Sequence, residues 1–427
     1  MNDAHDHWDD IPNTKILHGD CMQLLKTLPD CSIDAIVTDP PYGMSPDGIA
    51  RTWADIEEGR KLSGFMGKEW DAAVPCHNFF AECLRVLKHG GHMIAFSSTR
   101  TVCALGMAAQ QGGFVIRDMI HWCYFSGFPK SHDISKAIDR EAGAVREVVG
   151  YDEERAKRLG RNTDCTETTF SQVQNMKKKL VDSGFVGIPI TKPATEDAQK
   201  WAGFGTALKP SVEPAILARK PLEAGLTIAQ NVLKYGTGAI NIDACRYAYG
   251  DPCWIGDTTP IGHRSIGGHK TSYIGGTLQK PISTVDPGAR WPANLYHCPK
   301  PSRGEREAGL EHLKTRPARS NMCLGDGQGE RFDGKESAEV ANFHPTVKPI
   351  KLMRWLCRLI GGKKGSVILD TFCGSGTTGC SAILEGYDFI GIEITPDYLP
   401  IIRGRLEWAK DEYMRENAQL SLFEDAI

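Results

Sequence analysis

Apolar and polar positions alternate in short blocks over the first 125 residues. Apolar runs with the length of buried strands lie at residues 15–20, 33–38, 92–98 and around 114–125. Segments with apolar side chains at helical spacing separate these runs, at 21–30, 79–88 and near 100–111. Strands that alternate with helices are typical of a parallel sheet, so the pattern predicts an α/β fold.

The same alternation returns near the end of the chain. A helical segment at 350–360 is followed by Gly361 and Gly362, which predict its end. An apolar strand at 366–370, a glycine-rich turn, a helix up to Glu385 and a second strand at 388–394 then form a complete β-α-β unit.

The region between these two ordered parts lacks a clear period. Residues 141–205 are charged and polar and predict an insertion, after which 206–220 contain an apolar run that predicts a return strand of the sheet. Residues 221–340 are rich in glycine and proline and predict an irregular accessory region. The ordered parts, 1–140 and 341–427, then form the two halves of one domain.

Composition narrows the protein class only slightly. The formal net charge of −3 gives no global polyanion-binding signature, so a nucleic-acid surface must be a local basic face. The 14 cysteines include no Cys-x-x-Cys pair, which favours reduced core thiols over disulfides. A zinc site from Cys245, Cys253, His297 and Cys298 is the alternative, and its irregular spacing argues against it. The acidic start and the lack of a long apolar run predict a cytoplasmic protein.

The glycine-rich turn carries the first chemical motif. Gly374, Gly376 and Gly379 match G-x-G-x-x-G between a strand and a helix, and Glu393 lies at the end of the next strand, where an acid can bind ribose hydroxyls. This predicts a site for an adenosine-containing cofactor. A dinucleotide is the rival ligand, because its pyrophosphate favours a helix N-terminus. The carboxylate of Asp370 suits the ammonium of a methionine moiety better than a diphosphate.

The second motif, Asp39-Pro40-Pro41-Tyr42-Gly43, directly follows an apolar strand. An amino nitrogen on a base ring is a poor nucleophile because its lone pair is delocalised, and its activation needs hydrogen-bond acceptors. Asp39 can accept one amino hydrogen and the Pro40 carbonyl the other, while Pro41 helps to fix the backbone. Tyr42 offers a flat face on which an extruded base can stack. The alternative interpretation is a rigid surface turn.

With these residues the chain resembles the amino-group DNA methyltransferases that act on adenine N6 or cytosine N4. The resemblance rests on DPPYG at 39–43, TFCGSGTTG at 371–379 and HPTVKP at 344–349. The catalytic motif precedes the cofactor motif, which is similar to the permuted β-type arrangement. The family implies a Rossmann-like, seven-stranded, mostly parallel sheet, S-adenosyl-L-methionine as cofactor, and a target-recognition region that we place at 221–340.

The resemblance also implies roles for individual residues. Asp20 would contact the adenine ring of the cofactor, and the alternative is that it only caps the following helix. Glu393 would bind the ribose. Residues on the methionine side and in the segment that closes over the cofactor would be Asp370, Phe372, Gly374, Ser375, Gly376, Thr377, Thr346 and Lys348. His344 is interpreted as a structural cap because direct methyl transfer to nitrogen needs no histidine base.

The implied partner is double-stranded DNA. Basic residues of the insertion could contact phosphates, namely Arg155, Lys157, Arg158, Arg161 and Lys177 to Lys179. We predict no metal. A homodimer and a restriction endonuclease partner both stay open.

Asp39 favours adenine N6, because the cytosine-N4 members more often carry serine there. Cytosine C5 chemistry needs a Pro-Cys nucleophile, and neither Pro75-Cys76 nor Pro252-Cys253 lies beside a cofactor motif. Methylation of RNA or of a protein amide, and a non-catalytic DNA-binding or specificity subunit with the same fold, are the remaining alternatives.

Overall fold

The structure is a computed structural model. It describes residues 14–43, 51–53, 55, 58, 71–127, 131–152, 188–248, 251–253, 290–317 and 339–424. The basic residues of the insertion at 155–161 and 177–179 lie outside the described residues, as does much of 221–340.

Twelve strands are present in the described part of the chain. They are β1 Thr14–His18, β2 Ile33–Thr38, β3 Leu87–Phe96, β4 Val115–Cys123, β5 Val148–Asp152, β6 Ile188–Thr191, β7 Val212–Arg219, β8 Leu295–His297, β9 Arg316–Pro317, β10 Glu339–Val340, β11 Val367–Asp370 and β12 Asp388–Glu393.

The α-helices are α1 Cys21–Leu25, α2 His77–Val86, α3 Val102–Gln111, α4 Ile134–Glu141, α5 Glu196–Lys200, α6 Ile228–Tyr235, α7 Arg303–Glu307, α8 Ile350–Ile360, α9 Thr377–Leu384 and α10 Leu399–Glu424. Short 3₁₀ turns lie at Asp243–Cys245 and Pro396–Tyr398.

Eight strands form one sheet in the order β1-β12-β11-β2-β3-β7-β4-β8. Among these, β7 runs antiparallel to both of its neighbours and the other pairings are parallel. Every residue of β2 is buried, as expected for a strand inside a sheet that helices cover on both faces. The predicted Rossmann-like, mostly parallel α/β fold in permuted order is confirmed.

The sheet has eight strands among the described residues, which corrects the seven strands implied by the resemblance. The additional strand β8 pairs in parallel with β4 through only three residues, Leu295 to His297. Its segment carries a short aromatic-bearing run without a clear period, so a strand this short could not be recognised from the sequence.

The chain divides into two compact units. The first comprises residues 1–125, 212–314 and 344–427 and holds the large sheet. Its core includes Phe79 and Phe80 of α2, which are fully buried against the sheet. Within 206–220, where we predict a return strand, the structure has β7, which lies between β3 and β4 in the large sheet. Residues 221–314 also belong to this unit, and their assignment to target recognition stays a prediction.

The second unit comprises residues 126–211 and 315–343. It contains the two-stranded antiparallel pairs β5-β6 and β9-β10. Its buried Asp139 accepts hydrogen bonds from Thr195 and from the backbone of Ala194, and pairs with Arg146 at 2.7 Å. This carboxylate joins α4 to the segment before β5 and to the start of α5.

The three described cysteines of the accessory region, Cys245, Cys253 and Cys298, are buried free thiols. Burial raises the pKa of Cys253 to about 11 and of Cys298 to about 12. Within the described ranges, no group of three His, Cys, Asp or Glu side chains is placed to hold a metal ion. None of the described helices is long and apolar enough to cross a bilayer.

Candidate active site

The motif residues meet at one edge of the large sheet. Asp39 directly follows β2, Asp370 ends β11, Glu393 ends β12 and Asp20 follows β1. The carboxyl ends of parallel strands lie at the same edge, which is where open α/β sheets bind ligands. A cavity of about 240 Å³ opens there. The predicted site residues that line it are Asp20, Asp39, Pro41, Thr346, Lys348, Asp370, Phe372, Gly374, Ser375, Thr377 and Glu393.

The glycine turn requires two of its glycines. Gly374 has φ +56°, and a Cβ there would lie 2.8 Å from Nε2 of His344. Gly376 has φ +77° and faces Ile402 of α10, so it supports the turn from behind and lies outside the cavity lining. Both backbone conformations are ones that side chains with a Cβ rarely adopt.

Asp370 is a buried carboxylate with several donors. It accepts hydrogen bonds from the hydroxyls of Thr38 (2.7 Å) and Thr378 (2.6 Å) and from the backbone N–H of Phe372 (3.0 Å). Burial raises its pKa to about 6 despite these donors. Asp370 therefore joins β2, β11 and α9 beneath the cavity.

Glu393 holds the glycine turn from the neighbouring strand. Its Oε2 accepts from the backbone N–H of Gly374 (2.7 Å) and its Oε1 from that of Thr395 (2.8 Å). Burial raises the pKa of this carboxyl. Because each carboxylate oxygen has more than one lone pair, both oxygens can still accept a further hydrogen bond.

An aromatic wall closes one side of the cavity. Phe372 packs against Trp53 and Phe79, with ring centroids 6.1 Å and 5.3 Å away. Trp53 also lines the cavity, and the sequence motifs gave no sign of it.

Asp39 makes an ion pair with Lys348. The Lys348 ammonium contacts Oδ2 of Asp39, while Oδ1 is buried and has no hydrogen-bond partner among the described residues. Burial raises the pKa of Asp39, against the opposing pull of Lys348. The predicted cofactor-segment residue Lys348 is thus in direct contact with the predicted catalytic carboxylate.

Tyr42 and Glu213 complete this cluster. The Tyr42 hydroxyl accepts from Lys348 and donates to Oε2 of Glu213, each at 3.2 Å, and Lys348 lies 3.4 Å from the same Glu213 oxygen. The backbone N–H of Tyr42 donates to the buried Asp71 at 2.7 Å. Pro40 is buried beside them but is not part of the cavity lining.

Glu213 was missed by sequence reasoning. It is the second residue of β7, the strand that runs antiparallel to its neighbours, so the start of β7 lies at the edge where the parallel strands end. A charged residue before a buried apolar run was the available signal, but it becomes informative only once the strand direction is known.

Asp20 and His344 support the backbone as well as lining the cavity. Asp20 caps α1 by accepting from the backbone N–H of Gln23 at 3.1 Å. His344 accepts from the N–H of Thr346 at 3.3 Å, and its ring lies edge-on to Tyr398.

A buried arginine supports the glycine turn from α10. Nη1 of the fully buried Arg405 donates to the carbonyl and hydroxyl of Ser375, at 2.9 and 3.0 Å, and to the hydroxyl of Thr377 at 2.9 Å. Nothing in the motif pattern pointed to this residue.

Comparison with known proteins places this site in a family. The model of the N6/N4 DNA methylases matches residues 33–404. The chain is similar to the type II methyltransferase M.HinfI of Haemophilus influenzae, with 36% identity over 119 residues, or 26% of this chain and 32% of the relative. It is also similar to the DNA adenine methyltransferase YhdJ of Escherichia coli (strain K12), with 40% identity over 77 residues, or 18% of this chain and 26% of the relative.

These matched segments span a third or less of the two relatives. Among solved structures, the PvuII DNA methyltransferase (cytosine-N4-specific) aligns with a TM-score of 0.42 and 15% identity, covering 95% of this chain and 94% of that one. Because the family model matches most of the chain, including both motifs, the chain belongs to the N6/N4 DNA methylase family of S-adenosylmethionine-dependent DNA methyltransferases.

Proposed function

We propose that this chain transfers a methyl group to N6 of adenine in a specific sequence of double-stranded DNA after the target base leaves the helix. The observation that carries the proposal is the buried, unpartnered Oδ1 of Asp39, beside a cavity lined with carboxylates and a glycine turn. A buried acceptor without a donor costs free energy in the isolated protein. A substrate amino group would supply that donor.

The cavity has the chemistry that the cofactor needs. Glu393 has acceptor capacity left for ribose hydroxyls, and Asp370 lies where it can face the methionine ammonium. Phe372 and Trp53 offer apolar surface, and Asp20 and Thr346 would complete the cofactor side. A Cβ at position 374 would come too close to His344, so the backbone can keep this position only with glycine. These residues fit S-adenosylmethionine, so we assign the cofactor to this cavity.

When bound, S-adenosylmethionine supplies a methyl group from a positively charged sulfur, which keeps the carbon–sulfur bonding pair. Asp39 Oδ1 and the Pro40 carbonyl would accept the two hydrogens of the target amino group. Their pull directs the nitrogen lone pair at the methyl carbon. The methylated nitrogen then carries a positive charge until it loses a proton, and Asp39, whose pKa burial raises, is placed to take that proton.

Tyr42 would provide the surface for the extruded base. Its hydroxyl is fixed by Lys348 and Glu213, so its ring is already oriented before substrate binds. Stacking of a base on an aromatic ring contributes about 1 to 3 kcal/mol. Unpairing and unstacking the target base costs a few kcal/mol, which stacking on Tyr42 partly offsets.

Adenine is supported over cytosine by two observations. Asp39 occupies the position where cytosine-N4 members more often carry serine, and the relative YhdJ is an adenine methyltransferase by name. Cytosine N4 is the second candidate, because the matching family model spans both chemistries. The region 221–340 remains our candidate for target recognition, and a homodimer or a restriction endonuclease partner would be additional.

The test is transfer of labelled methyl from S-adenosylmethionine to unmethylated genomic DNA, followed by digestion to nucleosides. We expect label in N6-methyladenine and a loss of at least ~100-fold in Asp39→Ala, because general acid–base groups contribute on this order. Asp30→Ala is the control, since Asp30 is exposed and pairs with Arg85 away from the cavity. Label in N4-methylcytosine would move the proposal to cytosine, and full activity in Asp39→Ala would refute the mechanism.

A further inference from the structure

Four polar side chains from three separate segments meet at one side of the cavity, and one of them has no assigned part in the reaction. Asp39 and Tyr42 follow β2, Lys348 precedes α8, and Glu213 begins β7. The side chains of Lys348 and Glu213 are only 6% and 19% exposed. A charged cluster this deep is costly to bury unless its geometry is well matched.

The direction of each hydrogen bond follows from the donors available. Lys348 is a donor only, so Asp39 Oδ2 and the Tyr42 oxygen accept from it. The Tyr42 hydroxyl has a single proton, and this proton goes to Glu213. The Tyr42 proton therefore points to Glu213, and Asp39 also lies close enough to the Tyr42 hydroxyl to accept that proton in place of Glu213.

The charge balance favours the same arrangement. Burial pulls the pKa of Lys348 down, but Asp39 and Glu213 outweigh it and leave that pKa raised. Lys348 is the buried cation shared by the two carboxylates; Lys300 also approaches the other oxygen of Glu213, at 3.9 Å, but its side chain is 53% exposed, so solvent screens its charge. Lys348 cannot neutralise Asp39 completely while it also serves Glu213, and Asp39 retains acceptor strength on Oδ1.

We propose that Glu213 is a positioning residue of the methyl-transfer reaction, which takes the Tyr42 proton and shares Lys348 so that Asp39 Oδ1 stays open for the target amino group. The inference rests on the proposed function, because it assigns Asp39 the acceptor role. Without an acceptor at position 213, the tyrosine hydroxyl turns to Asp39. Protein donors then occupy both carboxylate oxygens of Asp39.

The experiment measures single-turnover methyl transfer and equilibrium binding of S-adenosylmethionine for four proteins. Glu213→Leu removes the acceptor and should slow transfer roughly 10- to 100-fold, as expected for a misplaced catalytic group, with cofactor affinity unchanged. Adding Tyr42→Phe removes the misdirected hydroxyl and should recover part of the rate. A purely structural role of Glu213 predicts no such recovery, because the second change removes a further contact.

Lys88→Met is the matched control. Lys88 pairs with Asp34 at 2.6 Å, at the opposite end of β2 from Asp39, so its loss removes an ion pair from the same strand without reaching the cavity. We expect its transfer rate to equal that of the wild type.

The outcomes separate the two proposals. A wild type without methyl transfer overturns the proposed function itself. An active wild type with full rate in Glu213→Leu, or with no recovery in the double variant, overturns only the role of Glu213. If Glu213→Leu fails to fold, Glu213→Gln decides: its neutral amide still accepts the tyrosine proton but pairs weakly with Lys348, so transfer should slow by about two- to tenfold, and an unchanged rate would refute the proposal.

Discussion

His92 lies in the middle of β3 and is 5% exposed. Burial, with smaller contributions from Arg219 and Arg117, lowers its pKa from 6.5 to about 4. The imidazole is therefore neutral in the folded protein at pH values where it would already be protonated in the unfolded chain.

This gives a pH-dependent loss of stability with a defined sign. The unfolded state binds a proton below pH 6.5 that the folded state takes only near pH 4, so the stability present above pH 6.5 falls as the pH is lowered towards 4. At pH 5, His92 lowers the free energy of unfolding by roughly 2 kcal/mol relative to its value well above pH 6.5. Denaturant titrations of wild type and His92→Gln at pH 7.5 and 5 should show a smaller decline in the variant, and parallel declines would contradict this assignment.

Arg405 offers a second prediction at a single residue. Arg405→Leu removes three hydrogen bonds to the glycine turn, and we expect it to lower the free energy of unfolding by about 3 kcal/mol and to weaken cofactor binding. Thermal unfolding and cofactor titration measure both effects. Arg403→Leu is the control, because Arg403 is 42% exposed and its pair with Glu407 contributes about 0.5 kcal/mol or less.

The sequence pattern located the candidate catalytic loop at Asp39, but not the residues that support the site. Asp39 was recognisable because it ends an apolar run and begins a motif with a chemical rationale. Lys348 was expected on the cofactor side, and its contact with Asp39 joins segments that lie far apart along the chain. Arg405 could not be recognised in the same way, because the sequence around it has the pattern of an ordinary charged helix and does not reveal that its side chain is buried.

At the scale of elements, α1 shows how one side chain can serve two purposes. The sequence left Asp20 between helix capping and cofactor binding, and the structure has the cap bond and also places Asp20 in the cavity lining. The helix is shorter than its predicted span of 21–30 and ends at Leu25.

Two substitutions at Asp20 separate these purposes. Asp20→Ala should cost about 1 kcal/mol of stability through the lost cap, whereas Asp20→Ser retains a capping oxygen and should cost much less. If Asp20 also contacts the cofactor, both variants should bind S-adenosylmethionine more weakly by a similar factor. Normal cofactor affinity in Asp20→Ser would leave capping as the residue's role.

Strand direction is the element property that the sequence could not provide. The apolar run of β7 predicted a strand, but the apolar pattern of a buried strand does not indicate in which direction the strand runs in the sheet. Its antiparallel orientation brings Glu213, at the start of β7, to the edge where β2 and β11 end. The short β8 was missed for a related reason, since three residues show no period.

At the scale of the whole molecule, the two motifs come from opposite halves of the chain and meet in one sheet. β11 lies between β2 and β12, and β1 pairs with β12 through Thr14 and Phe389 at the start of the register. The overall α/β class and its permuted order were predictable because each strand-helix unit is local in sequence. The boundaries of the compact units were not predictable, because residues 221–314 belong to the unit that holds the large sheet despite their irregular composition.

This interleaved strand order has a consequence for synthesis on the ribosome. The candidate catalytic loop after β2 is translated long before β11 and β12, and at ~5 to 20 residues per second the interval is roughly 20 to 70 s. Throughout that interval β1 has no neighbouring strand and β2 has one open edge, both of which invite wrong pairing. We therefore expect a nascent chain to be prone to wrong strand pairing until residue 393 has emerged, and a chain cut short before that point to lack both the neighbour of β1 and Glu393.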